Sequence, residues 1–99
     1  MDIINVKLIK AYGFTNEANE SLTLQLGRLM DKNGNTMPCQ EAQRWRFIGR
    51  NIPMPVRSGT WFEGMSFGTM RNWLEDRGWQ LQSSVSFITG SFTIFSKGK

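Results

Sequence analysis

The chain has 99 residues, with 12 lysines and arginines against 8 acidic residues, which gives a formal net charge of +4. It contains no histidine and one cysteine, Cys39. These counts exclude histidine general bases, Ser-His and Cys-His nucleophile pairs, zinc sites of the Cys/His kind and intramolecular disulfides. We therefore expect one globular domain over residues 1–99 that has no cofactor and is not an enzyme.

The same sequence predicts neither a membrane span nor a secretory signal. No apolar run approaches the roughly 18 residues that a transmembrane helix needs. Residues 1–5 lack both the basic start and the uninterrupted apolar stretch of a signal peptide. We expect a cytoplasmic protein with no membrane partner, in which Cys39 is a partly buried structural thiol.

Two strands are predicted in the N-terminal third of the chain. The first lies within residues 2–14 and the second begins at Leu22 and ends near Met30. A strong turn signal, Asp31–Asn35, follows the second strand. In both strands apolar side chains alternate with polar ones, the period of a half-buried strand: Ile4, Val6 and Leu8 in the first, and Leu22, Leu24 and Leu26 in the second.

A helix is predicted over residues 38–48. A hairpin closed tightly at Asn33-Gly34 would place Leu26 opposite Glu41, so the apolar faces of the two strands would not meet. A helix that begins near Pro38 instead aligns three apolar side chains at a spacing of three: Ala42, Trp45 and Ile48. In the alternative interpretation this stretch is a strand. Arg44, Arg46 and Arg50 then share one face, while Trp45 and Phe47 share the other.

Residues 49–66 contain two prolines and three glycines and are predicted to form a long irregular connection. A second helix is predicted from Phe67 to Arg77 because its apolar side chains recur at helical spacing. Ser66 or Thr69 caps its start, and Gly78 ends it in a left-handed conformation.

The C-terminal residues are predicted to form a hairpin that turns at Thr89-Gly90. In its first arm one face is apolar, made of Trp79, Leu81, Val85 and Phe87. The predicted elements together make an α+β domain, with four to five mostly antiparallel strands and one or two helices packed on one face.

The excess of positive charge is confined to one short stretch. Between Ala42 and Phe62 there are four arginines and no acidic residue, and large aromatic side chains are interleaved with them. Arginine suits phosphate contact and aromatic rings suit base stacking. We expect a small binding module whose stretch 44–62 contacts an anionic partner, with nucleic acid as the leading hypothesis. The candidate site residues are Arg44, Arg46, Arg50, Arg57, Trp61 and Phe62.

Other interpretations compete with this one. Trp45, Trp73 and Trp79 lie on periodic apolar faces and are expected in the core. The alternative function is a protein–protein module, an inhibitor, adaptor or homodimer, that uses loop 50–67 or an edge strand such as Ser91–Ser96. A small-molecule pocket lined by aromatic side chains also stays open.

Overall fold

The structure, a computed structural model, describes residues 5–87. Four strands form one antiparallel sheet in the order β3-β2-β1-β4, so the fourth strand returns to lie beside the first in the order of a Greek key. The described part of the chain is thus a small α+β domain with four antiparallel strands and one α-helix. The elements are β1 (Val6–Thr15), β2 (Ser21–Leu29), a short 3-10 turn (Gln40–Ala42), β3 (Gln43–Ile48), α1 (Phe67–Glu75) and β4 (Gln80–Ser86).

The core lies between one face of the sheet and α1. Alternate residues of β1, β2 and β3 point to this face, and two residues of α1, Met70 and Leu74, are fully buried against it. Trp45 and Trp79 are buried as predicted, whereas Trp73 is half-buried and packs at the margin of the core. The buried strand residues are Tyr12, Phe14, Leu22, Leu24, Trp45 and Phe47.

The prediction of a helix over residues 38–48 is wrong. Only the 3-10 turn at Gln40–Ala42 is helical, and the chain then continues as β3. In this strand Trp45 pairs with Leu26, whereas a tight hairpin would have placed Glu41 there. The shift of four residues, from 41 to 45, brings the apolar faces of β2 and β3 together.

The connection between β2 and β3 explains the shift. The Asn33-Gly34 turn does form, within a small hairpin that closes with a bridge between Met30 and Thr36. Asp31 stabilises this turn because one carboxylate oxygen accepts the backbone N–H groups of Asn33 and Asn35 at 2.8 and 3.1 Å. Residues 37–42 then leave the ladder, and regular pairing resumes in the new register.

Helix α1 forms where the sequence predicts it. The Ser66 hydroxyl accepts the backbone N–H of Thr69 at 3.3 Å and so caps the first turn. Gly78, with a φ of 91°, follows the helix in the left-handed conformation that glycine adopts at little cost. Within residues 5–87, no helix combines the length and the apolar character needed to cross a membrane.

Removal of this cap should weaken the domain measurably. Ser66→Ala is expected to lower the free energy of unfolding by about 1 kcal/mol because an N–H group of the first turn loses its acceptor. For a domain of this size, that corresponds to a fall of roughly 4–8 °C in the melting temperature. Ser66→Asp is the control, since aspartate caps helices equally well; a loss of the same size in both variants would contradict this role.

The structure of β4 shows that a second prediction, of one apolar face in the first arm of the C-terminal hairpin, is wrong. A register shift between Gly13 and Phe14 of β1 changes which face the residues of β4 occupy. Leu81 pairs with the buried Phe14 and contacts the core, but Val85 pairs with Ala11 and is 54% exposed. Trp79, Leu81, Val85 and Phe87 therefore do not form one apolar face. The predicted turn at Thr89-Gly90 and the return strand with Ser91–Ser96 lie outside the described residues.

Candidate functional site

The predicted site lies on and beside β3, at one edge of the described sheet. Trp45 and Phe47 point into the core, so the alternating residues Arg44 and Arg46 lie on the opposite side of the sheet, which we call the outer face. α1 packs on the core face, and the outer face carries no helix among the described residues. The strand interpretation of the arginine stretch is therefore confirmed for these four positions.

A returning segment brings Trp61 next to Arg46. Trp45 and Phe62 exchange two backbone hydrogen bonds, of 2.8 and 2.9 Å, so the chain around Phe62 runs antiparallel along the edge of β3. The guanidinium carbon of Arg46 lies 4.2 Å from the centre of the Trp61 ring system, a cation–π contact. Arg46 Nε also donates to Gln25 Oε1 at 2.5 Å, which fixes the guanidinium on the sheet.

The indole of Trp61 rests on the sheet above a glycine. A Cβ atom built on Gly27 would lie 2.8 Å from Cη2 of Trp61 and would also overlap Cγ1 of Val6. Only a residue without a side chain leaves room for the ring at this close approach. Trp61 is thereby held half-buried on the outer face, in contact with Arg46.

Arg44 is engaged inside the domain. Its Nη1 donates to the backbone carbonyls of Glu41 and Gln43 at 2.7 and 2.9 Å, and its Nη2 lies 3.6 Å from a carboxylate oxygen of Glu63. The Arg44 side chain is only 15% exposed, whereas that of Glu63 is 84% exposed. Arg44 therefore braces the 3-10 turn before β3 and has few donors left for a partner.

Arg50 and Arg57 flank the neck of the long loop after β3. The backbone N–H of Gly49 donates to the hydroxyl of Ser58 at 3.1 Å, which draws together the two chain segments that carry these arginines. Both arginines are exposed, and among residues 5–87 neither takes part in an ion pair. The loop thus presents two cations to solvent at the β3 edge.

Phe62 packs inward. Its ring is stacked against Phe47 with the centroids 5.9 Å apart, and it is one of the half-buried side chains around the core. The six predicted site residues therefore divide into two groups. Arg46 and Trp61 are in contact and Arg50 and Arg57 lie exposed nearby, whereas Arg44 and Phe62 are held within the domain.

A second basic group was missed by the sequence interpretation. Lys7 of β1 pairs directly with Arg28 of β2, and Lys10 lies on the same face of the sheet, the core face. No pattern along the chain indicates this group, because its members come from two strands. The register of β1 against β2 is the signal that reveals it.

Cys39 is exposed, which corrects the expectation of a partly buried thiol. Residues 5–87 contain no cluster of three or more acidic or cysteine side chains arranged to hold a metal ion. A depression of about 530 Å³ lies beside Arg44 and Glu63.

No protein-family model, curated protein or solved structure matches the chain.

Proposed function

We propose that this chain is a non-enzymatic module that binds single-stranded nucleic acid through Arg46, Arg50, Arg57 and Trp61. The observation that carries the proposal is the stack of Arg46 on Trp61 on the outer face, next to two exposed arginines. This arrangement offers a flat cationic surface for a base and separate charges for the phosphates on either side of it.

Each of these side chains has a role in the proposal. The Arg46 guanidinium lies over the indole of Trp61, and a base can stack on this cation–π pair as a further planar group. Bases are available for such stacking in single strands and not in a closed duplex. Arg50 and Arg57 neutralise backbone phosphates, since they are exposed and have no ion pair among the described residues.

The proposal predicts a particular dependence on salt. With Arg44 held inside the domain and Arg46 stacked on Trp61, two arginines are left to contact phosphates instead of four. The slope of log K against log salt concentration for a single strand is therefore expected near −1.4, whereas four contacts predict about −3 for single strands and nearly −4 for duplex DNA. A fluorescence titration with an oligo(dT) strand, repeated between about 50 and 200 mM salt, measures this slope.

A matched pair of variants makes this measurement specific. Arg57→Gln should reduce the magnitude of the slope by about 0.7 and weaken binding, because one phosphate contact is lost. Lys32→Gln removes an equal charge from the exposed turn before β3 and should leave the slope nearly unchanged. The proposal fails if the protein does not bind at about 50 mM salt or if both variants change the slope equally.

A protein partner or a homodimer is the second candidate. Ile48 is 38% exposed and Val85 is 54% exposed, and both lie on the outer face of the sheet. Loop 50–67, which was predicted to contact a protein partner, supports this candidate less. Several of its apolar side chains pack against the core: Ile52, Met54 and Val56. Sedimentation equilibrium separates the two candidates, because self-association that is insensitive to Arg46→Gln favours the protein interface.

A further inference from the structure

The missed basic group lies on the same face as α1, at one end of the β1–β2 ladder. Lys7 and Lys10 precede the first buried residue of β1, Tyr12, and Arg28 follows the last fully buried core residue of β2, Leu24. We call Lys7, Lys10 and Arg28 the β1–β2 basic cluster. All three side chains are partly exposed.

The pairing inside this cluster is electrostatically unfavourable. Lys7 and Arg28 are direct cross-strand partners, and like charges at directly opposite positions destabilise a sheet. Neither of the two ion pairs within residues 5–87, Arg44–Glu63 and Arg71–Glu75, includes a member of the cluster. Asp31, the acid nearest to Arg28 along the chain, directs a carboxylate oxygen to backbone N–H groups of its own turn.

Two of the three cations are held in place by neighbouring groups. Nη1 of Arg28 donates to the backbone carbonyls of Cys39 and Met37 at 3.3 and 3.5 Å, which leaves its remaining nitrogens free of described hydrogen bonds. The ammonium of Lys10 lies 5.3 Å from the centre of the Tyr12 ring. Ser86 pairs with Lys10 across β4 and adds an exposed hydroxyl to the same face.

We infer that the β1–β2 basic cluster is a binding site for a phosphate group. Two adjacent cations, a third on the same face and a hydroxyl donor suit a compact anion that accepts several charge-assisted hydrogen bonds. Binding would also relieve the repulsion between Lys7 and Arg28. The phosphate can belong to a free inorganic or condensed phosphate, or to a nucleic-acid backbone.

This site is separate from the one on the outer face, and it does not rest on the proposed function. Arg28 lies seven residues along β2 from Ser21, a distance of roughly 24 Å. The backbone around Ser21 and Leu22 is close to Gly49, beside Arg50. The cluster therefore lies at the opposite end of β2 from the exposed loop arginines, and on the opposite face of the sheet from the Arg46–Trp61 stack.

The test uses Lys7→Thr, because threonine is favourable in strands and removes one of the opposed charges. Without phosphate at low salt, the variant is expected to melt at the same temperature as the wild type or higher, since the repulsion is gone. Addition of inorganic phosphate or tripolyphosphate should raise the melting temperature of the wild type and raise that of Lys7→Thr much less. The dissociation constant for tripolyphosphate should increase about tenfold or more.

The control is Lys32→Thr, an equal loss of charge in the exposed turn, which should respond to phosphate as the wild type does. A response to inorganic phosphate supports a site for free phosphates. A response to oligo(dT) alone, retained in Arg46→Gln and lost in Lys7→Thr, supports contact with a nucleic-acid backbone. Equal responses in the wild type, Lys7→Thr and Lys32→Thr overturn the inference, and so does the absence of any response in the wild type.

Discussion

Trp45→Ala is expected to lower the free energy of unfolding by about 3–5 kcal/mol, a large part of the stability of a domain of this size. Trp45 is fully buried at the centre of the core, and its indole N–H donates to the carbonyl of Met65 at 2.8 Å. Removal of the ring leaves a cavity next to Tyr12 and Phe67, and the Met65 carbonyl keeps only the longer hydrogen bond of 3.4 Å from Gln43 Nε2. Urea unfolding followed by circular dichroism measures the loss.

Trp73→Ala is the matched control, since it removes the same side chain from a half-buried position. Trp73 lies at the margin of the core under the guanidinium of Arg77, which is 3.6 Å from its ring centre. Its loss should cost about 1–2 kcal/mol because Trp73 is already partly exposed to water in the folded domain. Equal losses in the two variants would contradict the central position assigned to Trp45.

A second large effect is expected on binding. Trp61→Ala should weaken the affinity for oligo(dT) by about 5- to 150-fold, equivalent to the roughly 1–3 kcal/mol that one stacked base contributes. The variant should stay folded, because Trp61 is only half-buried and lies on the outer face. A fluorescence anisotropy titration of labelled oligonucleotide measures the affinity, and thermal unfolding confirms the folded state.

Trp61→Phe is the control for this experiment. A phenyl ring retains a flat surface for Arg46 and for a base, so most of the affinity should return. Two results would sink the assigned role. If Trp61→Ala unfolds the domain, Trp61 belongs to the core; if its affinity equals that of the wild type, no base stacks at this position.

Local signals in the sequence predicted β2 and α1 well. The alternation from Leu22 to Leu26 and the capping residue Ser66 each act within a few residues of the chain. The same holds for Gly78, whose position just past the helix requires a positive φ. Such features depend little on the rest of the fold, so a single sequence contains the information that they need.

The register in which the strands pair could not be predicted from such local signals in the sequence. Residues 37–42, before β3, do not pair with β2. For this reason Trp45, and not Glu41, pairs with Leu26. The irregularity opposite Gly13 likewise moves Val85 to the outer face. Both depend on contacts between distant parts of the chain, which no periodic pattern records.

The candidate site was likewise predicted only where local sequence signals define it. Sequence identified a stretch rich in arginine and aromatic residues, but not which charges are free. Arg44 and Arg46 are two residues apart on one strand and share a face. Nevertheless, Arg44 donates hydrogen bonds to backbone carbonyls, whereas Arg46 is stacked on Trp61. The opposition of Lys7 and Arg28 likewise exists only once β1 and β2 are paired.

The order of elements along the chain has a consequence for folding. The strands β1, β2 and β3 come first, but the helix that covers their apolar face begins at Phe67. An N-terminal fragment that ends before this residue leaves the rings of Tyr12 and Trp45 without Phe67, which contacts both of them in the folded domain. Exposed apolar faces of this kind promote aggregation. During synthesis the core on this face of the sheet can therefore form only after α1 and Trp79 have emerged from the ribosome.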